Sequence, residues 1–319
     1  RMEVVYRISF SPFNSFFVLL AVFIIMKILI GISSKKYSEP TLDVGMRIAS
    51  ILNSSTTILD VGEKINEFSY KDVSIANELM ESWDLDRPGV EVLEWAYNYL
   101  QKKNYITKSL NDTGFSKNLL VDKGSGRSEV FLKGAAVKNL SLILRNGDII
   151  EELRDEVQSF NYDLTIIGGS GKRSMAHDLV QYIDSSIFVV NNFNQKQTYR
   201  ILLAVDDSKS NKKAVKFAVR VAQAFNIEVD IVTISNEGGS PGKFRLASLR
   251  AEKMMRRTGV KSEVRFIDGD LVNTLVQAAG ENHIIIMGTS SQSPLSKFFL
   301  GSKPLAVMES CNCPMVIVK

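Results

Sequence analysis

The chain has little with which to hold a metal. Its 319 residues include 2 cysteines and 2 histidines. Cys311 and Cys313 lie one residue apart, too close for an ordinary disulfide framework and too few for a zinc site, which fits a reducing compartment. His177 and His283 lack metal-ligand partners at useful spacing, and His283, just before an apolar run, reads as a surface or capping residue. Neither sign of charge dominates. With 39 Lys+Arg against 35 Asp+Glu the net charge is +4, and no basic run is interleaved with aromatics, so nucleic acid is not an expected partner. Asp206 and Asp207 invite a Mg²⁺ reading, yet no general base, nucleophile or arginine constellation accompanies them. No catalytic residue and no enzyme activity are therefore expected.

One long apolar run stands out. Phe16 to Ile32, FFVLLAVFIIMKILIGI, is interrupted only by Lys27, and at about 1.5 Å per residue a helix of that length approaches the thickness of a hydrocarbon core. A cleaved leader would have a shorter apolar region ending in small residues; here Lys35 and Lys36 follow. The expectation is a single-pass membrane protein with a transmembrane helix at 16–32 inside an N-terminal segment 1–37. Lys35 and Lys36, against Arg1 and Arg7, place the carboxyl side in the cytoplasm. The partners so implied are the bilayer and an integral-membrane protein, with a homodimer also open.

Residues 38–115 read as a mostly helical connector or docking domain. Val44, Ile48, Ile51 and Leu52 fall at helical spacing, as do Val73 to Trp83 and, after Asp86-Arg87-Pro88, Val92 to Leu100. From 116 the texture changes to alternating strands and helices, which predicts α/β architecture with parallel sheets. An internal repeat emerges when 116–197 is laid beside 198–319. KNLLVDKGSGRSEVFLKGAAV answers RILLAVDDSKSNKKAVKFAV; NLSLILRNGDIIEEL answers SEVRFIDGDLVNTL; NYDLTIIGGSG answers ENHIIIMGTSS; SSIFVVN answers NCPMVIVK. In the first copy, which is the shorter, Lys117 to Asp122 reads as the opening strand and GSGRSEVFLKGAAV as a turn and a short helix.

The segment 198–319 opens with a strand running into Val205-Asp206-Asp207-Ser208. It closes with Cys313-Pro314 before the apolar Met315 to Val318. Gly288, Ser291 and Gly301-Ser302 follow the spacing of a glycine-rich phosphate loop, with serine where a second glycine belongs. With these features the segment resembles a universal stress protein domain, and 116–197 a degenerate relative of one. The resemblance implies tandem Rossmann-like, adenine nucleotide alpha hydrolase-like sheets packed as an internal pseudo-dimer. It also implies ATP or another adenine nucleotide as ligand, with Mg only as the nucleotide's companion. Similarity assigns phosphate to Gly288, Ser291, Gly301 and Ser302, the ribose side to Asp206, and adenine to backbone near Val232. Serine at 291 adds a side chain where backbone must approach phosphate, so an occupied and an empty cleft both stay open. In 116–197, Gly168 and Gly171 keep the glycine spacing but Gln181 and Tyr182 replace the glycine-hydroxyl pair, so that copy is expected not to bind. Cys313 sits where the family often has cysteine and is expected to pack as a small hydrophobe.

These readings combine into a membrane-anchored regulatory or scaffolding protein that senses adenine nucleotide. Two alternatives remain. One is the C-terminal regulatory part of a secondary transporter of cation-chloride cotransporter or amino-acid permease type, whose cytosolic domains it also resembles. The other is a stress-type ATP-binding protein with weak ATPase activity.

Overall fold

The computed structural model describes residues 25–63, 89–106, 120–124, 126–132, 137, 139–169, 173–208, 210–235, 241–289 and 303–319. Short apolar stretches with polar ends alternate with amphipathic ones along the chain. The order is β1 (Lys27–Ile32), α1 (Lys35–Leu52), β2 (Ser55–Gly62), α2 (Val90–Lys102), β3 (Val121–Asp122), β4 (Ser128–Leu132), β5 (Asn139–Asn146), α3 (Ile149–Phe160), β6 (Leu164–Gly168), α4 (Arg173–Tyr182) and β7 (Ser186–Val190). It continues with β8 (Arg200–Ala204), α5 (Asn211–Phe225), β9 (Val229–Ser235), α6 (Pro241–Arg257), β10 (Ser262–Asp268), α7 (Leu271–Ala279), β11 (His283–Gly288), α8 (Lys303–Ser310) and β12 (Met315–Val318).

The twelve strands of the described residues form one sheet in the order β10-β9-β8-β11-β12-β7-β6-β1-β2-β5-β4-β3. Strands β8 to β12 are parallel to one another, as are β1, β2, β5, β6 and β7. The two groups meet at an antiparallel seam, where Met315, Val316 and Ile317 of β12 face Val189, Phe188 and Ile187 of β7. Each group has the same order of connection, with its first strand in the middle, the second and third to one side, and the fourth and fifth toward the seam. Opposed strand directions put the carboxyl ends of the two groups at opposite rims of the sheet. Helices α1, α2, α5 and α6 cover one face and α3, α4, α7 and α8 the other, each over its own apolar cluster. With both faces covered, central strands are apolar throughout rather than alternating: Ile28, Leu29 and Ile30 are all at 0% exposure.

Local signals repeat between the groups. Asp148 caps α3 by accepting from Ile150 and Glu151 N–H (3.0 and 3.1 Å), and Asp270 caps α7 by accepting from Asn273 N–H (3.0 Å). Both satisfy amides that a helix start leaves unpaired. Asn53 and Asn226 close α1 and α5 in the left-handed conformation, at φ 46° and 52°, which asparagine tolerates better than most residues.

Several expectations need correcting. Lys27–Ile32, the end of the expected transmembrane helix at 16–32, is instead β1, hydrogen-bonded in parallel between β2 and β6. Lys27 opens that strand, its amide bound to Asp163 Oδ2 (2.8 Å) and its ammonium to the Phe160 carbonyl (3.0 Å). Residues 16–24 lie outside the described residues. Among the described residues no helix is long and apolar enough to cross a membrane, and the single-pass membrane localisation is overturned.

Within 38–115 the helices expected around Val44–Leu52 and Val92–Leu100 are found as α1 and α2, but the segment also contributes β2 to the sheet interior; the expected helix over 73–83 lies outside the described residues. The first group's sheet therefore begins at Lys27, not at 116. Within KNLLVDKGSGRSEVFLKGAAV, the expected opening strand reduces to β3, and the expected helix is replaced by β4. These two form an antiparallel hairpin added to the outer edge of β5.

That hairpin is held by buried charge. Glu156 of α3, at 0% exposure, accepts from Arg145 Nε and Nη2 (2.9 and 2.8 Å), from Arg127 Nε (3.2 Å) and from the Tyr162 hydroxyl (3.1 Å). Arg127 also donates to Glu129 Oε2 (2.6 Å) and stacks over the Phe160 ring at 4.5 Å.

Candidate functional site

In a doubly wound sheet, ligands bind at the carboxyl ends of strands where neighbouring strands connect in opposite directions. In the second group that parting lies between β8 and β11. The β8 strand runs into Val205 and Asp206, and the β11 strand ends in Gly288 and Thr289. A chain of polar contacts closes the turn between them. Asp206 Oδ1 accepts from the Ser208 amide (3.0 Å) and hydroxyl (2.5 Å). The Ser208 and Ser210 hydroxyls are 2.9 Å apart, and Ser210 donates to the Thr289 carbonyl. Glycine at 288 is required by this packing, since a Cβ there would stand 2.5 Å from Ser210 Oγ and 3.0 Å from Ser210 Cβ.

Val232 lies in β9 at 1% exposure, and its carbonyl accepts the Val205 N–H at 2.9 Å, so that atom is already committed within the sheet. Of the six expected site residues, the structure thus brings Asp206 and Gly288 to one crevice and buries Val232 beneath it. Ser291, Gly301 and Ser302 lie outside the described residues.

The opposite rim holds a second crevice, at the matching parting of β1 and β6. The register of β1 with β6 and of β8 with β11 makes Gly31, Ile32 and Ser33 the counterparts of Ala204, Val205 and Asp206. Here a cavity of about 70 Å³ is lined by residues including Ser33, Ser38, Leu59, Leu153, Gly168 and Leu179. Among the described residues no charged side chain lines it. The sequence predicts a first copy that does not bind and that opens with a strand at 117–122; its first parallel strand is instead β1, and the cavity lies at the carboxyl end of that strand.

One buried charge cluster lies beside the first half's crevice and another at the far end of the second group's strands. Beside the first, Asp60 of β2 is 2% exposed, next to Gly89, the left-handed residue (φ 100°) before α2. A side chain on Gly89 would meet Asp60 Oδ2 and Leu144 Cδ1, each at 2.5 Å. Burial, reinforced by the nearby charge of Glu91, pushes the Asp60 carboxyl up to about 8.

At the other end of the second group's strands, Asp230 is 1% exposed and bound by Arg200 through both oxygens and by His283 Nε2 at 3.0 Å. Burial alone would raise its pKa, but the Arg200 and His283 bonds outweigh it and hold the carboxyl below its ordinary range. His283, whose Nδ1 lies 2.8 Å from the Ala279 carbonyl, is therefore a buried partner of Asp230 and not a surface residue. Cys311 and Cys313 are buried and joined as a disulfide, against the expectation of a thiol packing as a hydrophobe. No group of side chains suited to a metal occurs among the described residues.

The sequence profile of the universal stress protein family matches residues 198–319. A universal stress protein of Methanocaldococcus jannaschii is 28% identical over 153 residues, 41% of this chain and 90% of that one. One from Thermus aquaticus is 33% identical over 135 residues, 37% of this chain and 97% of its own. Among solved structures, a universal stress protein of Archaeoglobus fulgidus aligns over 92% of this chain and 96% of its own with a TM-score of 0.55 at 15% identity. A functionally unknown protein of Pseudomonas aeruginosa aligns over 93% of each chain with a TM-score of 0.57 at 13% identity. Both structural likenesses speak for the fold of nearly the whole chain, including the part before residue 198.

Proposed function

Since the chain belongs to the universal stress protein family, we propose that it is a regulatory module, without enzymatic activity, whose second half holds an adenine nucleotide at the β8–β11 parting. The observation that carries this reading is the convergence of a carboxylate loop and a side-chain-free strand end at a topological switch point. Asp206 would take the ribose hydroxyls, Gly288 would let backbone approach the phosphates, and Ser291, Gly301 and Ser302 would complete the phosphate contacts, as the family resemblance assigns them. Adenine would lie over the strand ends next to Val232. The two halves are read as two copies of one domain, the first beginning at β1 and carrying the β3–β4 hairpin as an insertion. A ligand bound by one half then acts by favouring whichever arrangement of the halves binds it more tightly.

The test is a titration of the full chain with ATP, read by thermal shift. ATP is expected to raise the melting temperature, and Asp206→Asn, which retains an oxygen acceptor for the Ser208 amide, to weaken the effect about tenfold, as loss of a charge-assisted hydrogen bond implies. No shift at millimolar ATP would sink the reading.

A further inference from the structure

The two crevices differ in chemistry. In the second half, Asp206 supplies a carboxylate on a long turn, Val205 to Ser210, ahead of α5. In the first half the chain passes from β1 to α1 through Ser33 and Ser34 alone, and Ser33 occupies the register position of Asp206. Isoleucines and leucines from three strands and from α3 and α4 surround the cavity, and the polar side chains among the described lining residues are the hydroxyls of Ser33, Ser38 and Thr41. The described walls are largely hydrocarbon, which makes desolvating a charged group there costly.

One polar group in this wall is incompletely used. Ser38 is 2% exposed, and its oxygen accepts the Ser33 N–H at 3.0 Å. A hydroxyl also carries one proton to donate, and among the described residues that proton has no acceptor. The neighbouring Ser34 hydroxyl is likewise buried without a partner. A buried donor without an acceptor is costly, and a ligand oxygen would relieve it. Size limits the guest further. An apolar cavity of about 150 Å³ admits a whole benzene molecule; this one has about half that volume, so it encloses one end of a guest.

We propose that the crevice between β1 and β6 is a second ligand site, chemically distinct from the nucleotide crevice. Its ligand is an uncharged molecule, mostly hydrocarbon, that inserts one end and presents a single oxygen acceptor to Ser38. A nucleotide does not bind there. The proposal is independent of whether the second half binds ATP.

The probe is cyclohexanone, titrated into the full chain and read through the methyl resonances of Leu153 and Leu179. Saturable shifts of both are expected. Ser38→Ala, which removes one neutral hydrogen bond, should weaken binding about three- to tenfold. Ala176→Leu, which adds hydrocarbon to the wall, should abolish the shifts; Ile149→Phe replaces it if that variant does not fold. Absence of saturable shifts up to the solubility of the probe overturns the proposal. So do shifts of Leu153 and Leu179 on adding AMP in place of cyclohexanone, because the crevice would then be a nucleotide site. Methyl shifts of Val205 and Val232 with AMP report the other crevice separately, so failure of one reading is distinguishable from failure of the other.

Discussion

Asp60 places a carboxyl on the interior side of a central strand, with Leu144 and the left-handed Gly89 against it and the charge of Glu91 nearby. The ordinary value of 3.8 rises to about 8 in the fold. Between those pH values the folded chain holds a proton that the unfolded chain has released. Stability therefore falls as pH rises through that window and levels off above about 8, by an amount on the order of a few kcal/mol. Asparagine reproduces the shape of the protonated acid without titrating. Asp60→Asn is expected to match the natural chain near pH 4 and to exceed it at pH 8.5, as judged by melting temperature at the two values; equal slopes for both proteins would rule out the buried carboxyl as their source. This residue left little mark in the sequence, where a lone aspartate in STTILDVG resembles the end of a surface strand. Its burial follows from the strands on either side, which no local pattern reports.

At the level of elements, the hairpin β3–β4 depends on Glu156. Replacing a buried charge that pairs with two arginines leaves Arg127 with Glu129 and Arg145 with Glu152 as their remaining carboxylates, and breaking such a buried pair typically costs up to about 3–5 kcal/mol. Glu156→Ala is expected to lower the urea midpoint accordingly, with hydrogen exchange in β4 accelerating more than exchange in β8; uniform acceleration would argue against a local role.

Some elements were readable from sequence because their signals are local. The capped starts of α3 and α7 carry the same aspartate after a glycine, and the strands ending in Gly168 and Gly288 carry the same apolar run. The opening of the first half was not readable. A strand covered on both faces is apolar throughout, and in β1 it continues the run begun at Phe16 without any glycine or proline to mark the join, so its pattern matches a membrane helix. The β2 strand was missed for the opposite reason. Its first half is polar yet buried, with Thr56 bound to Ser54 at 2.9 Å and Thr57 to Ser141 at 3.3 Å, pairings that only the folded sheet provides. In the candidate site, Asp206 and Gly288 were legible because they stand at motif positions. The first crevice was hidden by a shortened turn and by serine in place of aspartate.

For the whole molecule, the seam between β12 and β7 decides whether the halves behave as one body. Lys319 strengthens it, its amide reaching Ser186 Oγ at 3.3 Å and its ammonium the Val180 carbonyl at 2.6 Å. Cutting the chain to residues 198–319 would leave β12 with an open edge that already favours an antiparallel neighbour, and exposed edges recruit strands. That fragment is expected to dimerise through β12 when its mass is measured by light scattering, and Val316→Lys to return it to a monomer. A monomeric unsubstituted fragment would contradict this role for the strand.

The reversal of strand direction at the seam has a further consequence. Because the two crevices open on opposite rims, anything docking against one cannot sense by touch what fills the other. The molecule is then a pair of back-to-back receivers on a common wall, and any agreement between them must pass through the β12–β7 seam and the helices packed across it, where Arg47 of α1 lies 4.7 Å over the Phe225 ring of α5.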